Sequence, residues 1–135
     1  MRVISIHLFP VLIAAVVRML IGAVWYSPAL FVKRWYKLTG VTQKQMKAGM
    51  AKALGVDFVG SLLMAFVLVH IIRFADAVTP LQGLAVGFSI WLGFVAVVTI
   101  STVTYERRPL ELFLLKNGYL LLSLLAMGAI LAVWG

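Results

Sequence analysis

Four apolar stretches, each long enough to cross a hydrocarbon core of about 30 Å as an α-helix of roughly 20 residues, constrain this chain more than any other feature. They cover residues 3–25, 53–74, 81–105 and 110–134. With 64% of its 135 residues apolar and 12% charged, the chain lacks the polar surface that a soluble domain of this size needs. A soluble enzyme, a disordered chain and a disulfide-stapled secreted domain are excluded, the last because there is no cysteine. The first stretch does not read as a signal peptide. His7, Pro10 and Arg18 interrupt it and no small-residue cleavage site follows. The expected fold is all-α: one domain over 1–135, with four transmembrane helices in an antiparallel bundle. Short connections make sequential helices the expected packing neighbours.

The net charge of +8 is concentrated at one side of this bundle. Lys33, Arg34, Lys37, Lys44, Lys47 and Lys52 follow the first stretch, and Arg107 and Arg108 follow the third. The opposite side carries only Arg2 and Arg73, a bias of eight against two. By the positive-inside rule both termini lie outside and both basic loops face the cytoplasm. The same charge favours anionic lipid headgroups as a partner and not nucleic acid. Within the first basic loop, Trp25, Tyr26 and Trp35 form an expected aromatic belt, and Ser27-Pro28 ends the first helix. Thr42 and Gln45 form a capping box that opens a helix running into the second span, across Gly49 and Gly55.

Ionisable side chains inside a span are costly, about 2.5–3.5 kcal/mol for Arg or Asp at the helix centre on insertion scales. Arg18 lies seven residues before Trp25, about 10 Å along the helix, on a face with Ala14 and Gly22. Facing positions of an antiparallel hairpin have residue numbers of nearly constant sum. One register then brings Arg18 to Asp57 and His7 to His70. An Arg18–Asp57 ion pair is therefore expected. Glu111, Lys116 and Asn117 fall at a comparable depth in the fourth span, with Thr99, Ser101, Thr102 and Thr104 toward the same end of the third. These define a polar cluster in one half of the bundle. It reads first as a structural network that sets helix register and second as a pocket for an ion or solute open to the cytoplasm. Ser61-Leu62-Leu63 and Ser123-Leu124-Leu125 form a faint internal echo in the second and fourth spans.

No nucleophile elbow, phosphate-binding glycine loop or acid–base pair is present, so no catalytic residues and no enzyme activity are expected. His7 and His70 lack a third ligand, and neither a metal site nor a cofactor follows from them. The glycines read as packing devices. Ala85, Ser89 and Gly93 form a small-residue row on the third span with Gly83 and Gly87 beside it, and Gly128 with Ala132 does so on the fourth.

Gly22, Trp25-Tyr26-Ser27-Pro28, Phe31 and Trp35 resemble the first-helix signature of the small membrane family catalogued as domain of unknown function 1761. Trp91-Leu92-Gly93-Phe94, Glu106, Arg108-Pro109, Phe113, Asn117-Gly118-Tyr119, Gly128 and Trp134 continue the resemblance over almost the whole chain. It implies a four-span, mostly bacterial membrane protein, placed here in the cytoplasmic membrane, with no established activity to carry over. It gives weight to Trp25 through Pro28 and to Asn117. Four helices in one copy leave little room for a solute path. The expected function is therefore a homo-oligomeric transporter or channel for an ion or small solute. The alternative is a non-catalytic subunit of a larger membrane complex.

Overall fold

The computed structural model describes residues 8–28 and 30–134. All secondary structure among these residues is helical. Residues 3–7 of the first expected span, His7 with them, lie outside the described residues, as does Arg2. Helix α1 (Leu8–Trp25) stops just before Ser27-Pro28, where proline disfavours helical geometry in its predecessor. Helix α2 (Val32–Thr39) is short and ends at Gly40, whose left-handed φ of 76° lets its N–H return to the Tyr36 carbonyl. Helix α3 (Gln43–Phe74) opens on the expected capping box. The Gln45 N–H donates to the Thr42 hydroxyl and the Thr42 N–H donates to Gln45 Oε1. Its 32 residues run unbroken through Gly49 and Gly55. That length is about 48 Å, some 18 Å more than a hydrocarbon core, and the surplus is the polar first part bearing Lys44, Lys47 and Lys52.

Helix α4 (Pro80–Thr104) begins with a second capping box, Thr79 with Gln82, and has proline at its first position. Its hydrogen bonds widen to the π pattern over Trp91–Ala96, and the helix is interrupted once more at Ile100. Helix α5 (Leu110–Trp134) is continuous. Helices α1, α3, α4 and α5 are each long and apolar enough to cross a membrane, which makes this an integral membrane protein by length and composition.

The expectation that sequential helices pack as neighbours holds for α1 with α3 and for α4 with α5, and needs correction between α3 and α4. Helices α3 and α4 barely touch, whereas α5 meets every other span: α4 most extensively, then α1 and α3. Helices α1, α3 and α5 form a triangle, and α4 lies against the far side of α5. The buried core at the end away from the basic loops comes from Ala14, Ala65, Val69, Ile72, Met127 and Leu131, all fully enclosed. Without water to drive association inside a membrane, such contacts depend on close fit. The closest fit is between α4 and α5. A β-carbon on Gly83 would overlap the carbonyl oxygen of Gly128, and one on Gly87 would overlap that of Leu124.

The small-residue row is corrected at the same contact. Gly83 and Gly87 meet Gly128, as the backbone approach requires. Ala85, Ser89 and Gly93 face away and are exposed, with nothing within 4 Å of a β-carbon built on Gly93. The two rows lie about two residues apart on one helix, close to opposite faces at 100° per residue. Gly83→Ala is expected to lower stability by about 1–3 kcal/mol through overpacking. Gly60→Ala, at a position with open space, is expected to be neutral or slightly stabilising. Chemical unfolding of both variants in the same detergent checks the contrast.

Candidate functional site

Arg18 enters the bundle interior from α1 and is 8% exposed. A buried guanidinium demands compensation on the order of several kcal/mol, and α3 and α5 supply it. Arg18 Nη1 donates to Asp57 Oδ1 at 2.9 Å and to Ser61 Oγ at 2.6 Å. Asp57 and Ser61 stand one turn apart on α3, and the Ser61 hydroxyl donates in turn to the Asp57 carbonyl at 2.7 Å. The ion pair anticipated from the hairpin register is thus formed, with Ser61 as a second acceptor that the register argument did not name. From α5, the Tyr119 hydroxyl donates to the Arg18 carbonyl at 3.2 Å, and its ring lies 5.3 Å from the guanidinium carbon. Gly22 makes room for this phenol, since a β-carbon there would stand 2.9 Å from the hydroxyl oxygen. The pair is asymmetric: the Arg18 side chain is 9% exposed and that of Asp57 45%.

Asn117 is buried on the opposite side of α5, facing α4. Its Nδ2 donates to the Phe113 carbonyl at 3.0 Å, and its Oδ1 lies 3.1 Å from the Thr99 hydroxyl. That hydroxyl also lies 2.6 Å from the Val95 carbonyl, and its single proton serves one acceptor at a time. Trp91, the first residue of the π segment, donates its indole N–H to the Asn117 carbonyl at 2.9 Å. Trp25 makes the matching bond from the α1 side, to the Leu115 carbonyl at 3.0 Å. Two indoles therefore clasp one turn of α5 from opposite directions.

The single polar cluster expected from depth alone is divided accordingly. Arg18 and Asp57 form one site, and Asn117 belongs to another. Glu111 joins neither, because it stands in the first turn of α5 and is gripped by Arg34 of α2. Arg34 Nε and Nη2 take its two carboxylate oxygens, the second at 2.7 Å, and this side-chain hydrogen bond raises the Arg34 pKa further above its already high value. Lys116 is exposed. Its side chain leans toward the helix N-terminus, so the ammonium reaches for the basic end of the bundle. Depth from sequence is a one-dimensional coordinate. The angle around α5, at 100° per residue, separates residues that depth alone groups together.

The aromatic belt is also more inward than expected. Trp25 stacks on Phe31 with ring centroids 4.7 Å apart, and its indole edge is 3.0 Å from where a Gly118 β-carbon would stand. Tyr26 packs edge-on against Tyr119 at 5.6 Å and Trp35 at 6.2 Å. Burial, followed by the neighbouring Tyr119, pushes the Tyr26 pKa up to about 12, so this phenol stays neutral under physiological conditions. Ser27 and Pro28 shape the turn: the Leu30 and Val32 N–H groups both donate to the Ser27 carbonyl. His70 lies with Nδ1 2.6 Å from the Phe66 carbonyl, which requires the proton on Nδ1. Sequence reasoning named Ser61 and Tyr119 without these roles and passed over Thr79. The T-x-x-Q spacing from Thr79 to Gln82 was a readable signal, whereas Ser61 and Tyr119 acquire their roles only through the packing of α1, α3 and α5.

Removing one member of the Arg18–Asp57 pair strands the other. Asp57→Asn is expected to destabilise the protein by about 1–3 kcal/mol, below the roughly 3–5 kcal/mol typical of a dry pair because this carboxylate is half exposed. The double variant Arg18→Met with Asp57→Leu is expected to be more stable than Asp57→Asn alone, since it strands no charge. Unfolding curves for the three proteins in one detergent decide this.

Comparison with curated proteins finds no match, and comparison with solved structures finds none either. The model of the family described as protein of unknown function (DUF1761) matches residues 9–132. That span takes in the Arg18–Asp57 pair, the Trp25 turn and the Asn117 site, and the chain belongs to this family.

Proposed function

We propose that the protein is a homo-oligomeric transporter or channel, not an enzyme, that passes an ion or small solute along a path between copies. The observation that carries this reading is the asymmetry of the ion pair: a buried Arg18 held by an Asp57 whose side chain is 45% exposed at the surface of α3. A purely structural pair would be expected to close over both partners. Here the ionisable carboxylate stays open on a helix face that the chain's own bundle leaves uncovered, with open space beside Gly60 on the same helix. The interior of one copy is filled by Val69, Ile72, Met127 and Leu131, which argues for a path between copies and against one through the bundle. In this reading both termini lie outside a bacterial cytoplasmic membrane. The basic loop and α2 then lie at the cytoplasmic face against anionic headgroups.

The second reading is a non-catalytic subunit that docks on a larger membrane complex. It is favoured by α4, the least buried span, whose exposed row of Ala85, Ser89 and Gly93 allows close helix approach. Mass measurement after extraction in mild detergent at native expression separates the two. A discrete multiple of the chain mass is the expected result, and a particle containing other chains would replace the transporter reading with the docking one. For the oligomer, flux in proteoliposomes is expected to fall at least about tenfold in Arg18→Leu and Asp57→Asn. Unchanged flux in both would overturn transport through this site. Cysteines placed at Ala48 and Val78 are expected to label from opposite sides of the membrane, Ala48 from the cytoplasm.

A further inference from the structure

Helix α2 gathers its charges on one side. At 100° per residue, Val32, Trp35, Tyr36 and Thr39 fall within an arc of about 100°, and Lys33, Lys37 and Arg34 fall together on the other side. The structure follows that division, with the first four residues partly buried and the three cations exposed. Trp35 turns toward Tyr26, and Phe31 just ahead of the helix stacks on Trp25, so α2 is fixed to the end of α1. On the cationic side the Arg34 fork holds both carboxylate oxygens of Glu111, which ties α2 to the first turn of α5 as well.

Glu111 neutralises Arg34 and leaves Lys33 and Lys37 unmatched. The two lysines stand one turn apart on the same face, with β-carbons about 5–6 Å apart. Among the described residues they form no hydrogen bond or ion pair. Lys37 is near enough for its charge to act on Glu111, which puts this pair beside the start of α5. With 25 residues, α5 is about 37 Å long against a hydrocarbon core of about 30 Å, so its first turn lies among the headgroups. Leu110 and Leu114 flank Glu111 there and are exposed, forming an apolar wall that continues into the membrane. Two free cations above such a wall match an anionic phospholipid, phosphate to ammonium and acyl chain to leucine. A soluble acidic segment would use the lysines and leave the leucines uncovered.

We propose that Lys33 and Lys37 of α2, above the exposed leucines of α5, hold the phosphate of an anionic phospholipid as a discrete docking surface. Ammonium groups meet phosphate oxygens as point charges, so the lysines need no fork geometry of the kind Arg34 spends on Glu111. This rests on the placement of the basic loop at the membrane surface and not on transport. It narrows the general attraction of a basic loop to two residues. The neighbouring lysines are placed differently: Lys44 and Lys47 stand in the first two turns of α3, whose surplus of about 18 Å over the core carries them past a headgroup layer of roughly 5–8 Å. They add to the field at the surface without touching a phosphate.

The test is the lipid selectivity of the full chain in phosphatidylcholine vesicles. It is read by electron spin resonance from trace spin-labelled phosphatidylglycerol and phosphatidylcholine immobilised at the protein. The wild type is expected to prefer phosphatidylglycerol by at least about threefold, within the roughly fivefold that each surface lysine can supply. Lys33→Gln with Lys37→Gln is expected to lose most of that preference. Lys44→Gln with Lys47→Gln makes the same change in net charge and is expected to keep most of it. All four side chains are exposed, and Arg107 and Arg108 stay in place in both variants. If either double variant fails to fold, Lys37→Gln set against Lys47→Gln decides in the same way. Equal losses in the two variants would overturn the inference in favour of diffuse surface charge. No preference in the wild type would also overturn it and leave the lysines to an acidic protein segment. Selectivity as expected with no flux in proteoliposomes would remove the transport reading and leave the lipid site standing, and flux without selectivity would do the reverse.

Discussion

A guanidinium placed in the interior of an apolar bundle imposes a demand that neighbouring helices must meet, because lipid supplies no hydrogen bonds. Arg18 sets that demand here. Its charge draws Asp57 on α3, and its second Nη1 proton draws Ser61 one turn along the same helix. Its own carbonyl accepts the Tyr119 hydroxyl from α5. Three helices are thereby held to one depth and one rotation around a single side chain. Gly22 completes the arrangement by leaving the space that the Tyr119 ring fills.

The second joint follows different physics. Helices α4 and α5 approach until glycine backbones meet, and no charge is involved. Trp91 and Thr99 add polar contacts to Asn117 at the level where α4 widens into its π segment. Such π segments are often found at functional sites. Helix α5 therefore carries an electrostatic joint on one face and a steric joint on the other. Lys116 stands one heptad before Ser123 on the same face, yet it is exposed while Ser123 is fully enclosed. The bundle is thus sealed away from the basic loops and opens toward them. Asp57 keeps its partial exposure in that opening half.

Much of this was legible in the residues. The four spans, the stop at Ser27-Pro28, the capping box at Thr42 and the depth match of Arg18 with Asp57 all follow from local rules. Each depends on spacing along one helix or across one hairpin. The faint serine echo also acquires a meaning, for Ser61 and Ser123 are both fully buried near the depth of Arg18. Legibility failed where the outcome depended on rotation about a helix axis relative to non-sequential neighbours. Glu111, Lys116 and Asn117 share a depth but point in different directions, and only the positions of α2 and α4 decide what each one meets. The small residues of α4 failed for the same reason. Gly83 with Gly87, and Ala85 with Ser89 and Gly93, were both plausible seams, and the first was the one turned toward α5.

By itself, the sequence determined that the chain has four apolar helices and one basic end. It also determined that an arginine and an aspartate at matching depth have to be reconciled inside the bundle. Hydrophobic run length, proline geometry and the cost of an unpaired charge require that much, whatever the packing. The tertiary structure alone decided that α5, and not the next helix in order, holds the bundle together. It also decided that Asp57 and Ser61 both engage the same Nη1 atom of Arg18. Those outcomes are angular. They depend on how whole helices rotate and cross to bring glycine backbones and indole edges into contact, which no spacing along the chain encodes.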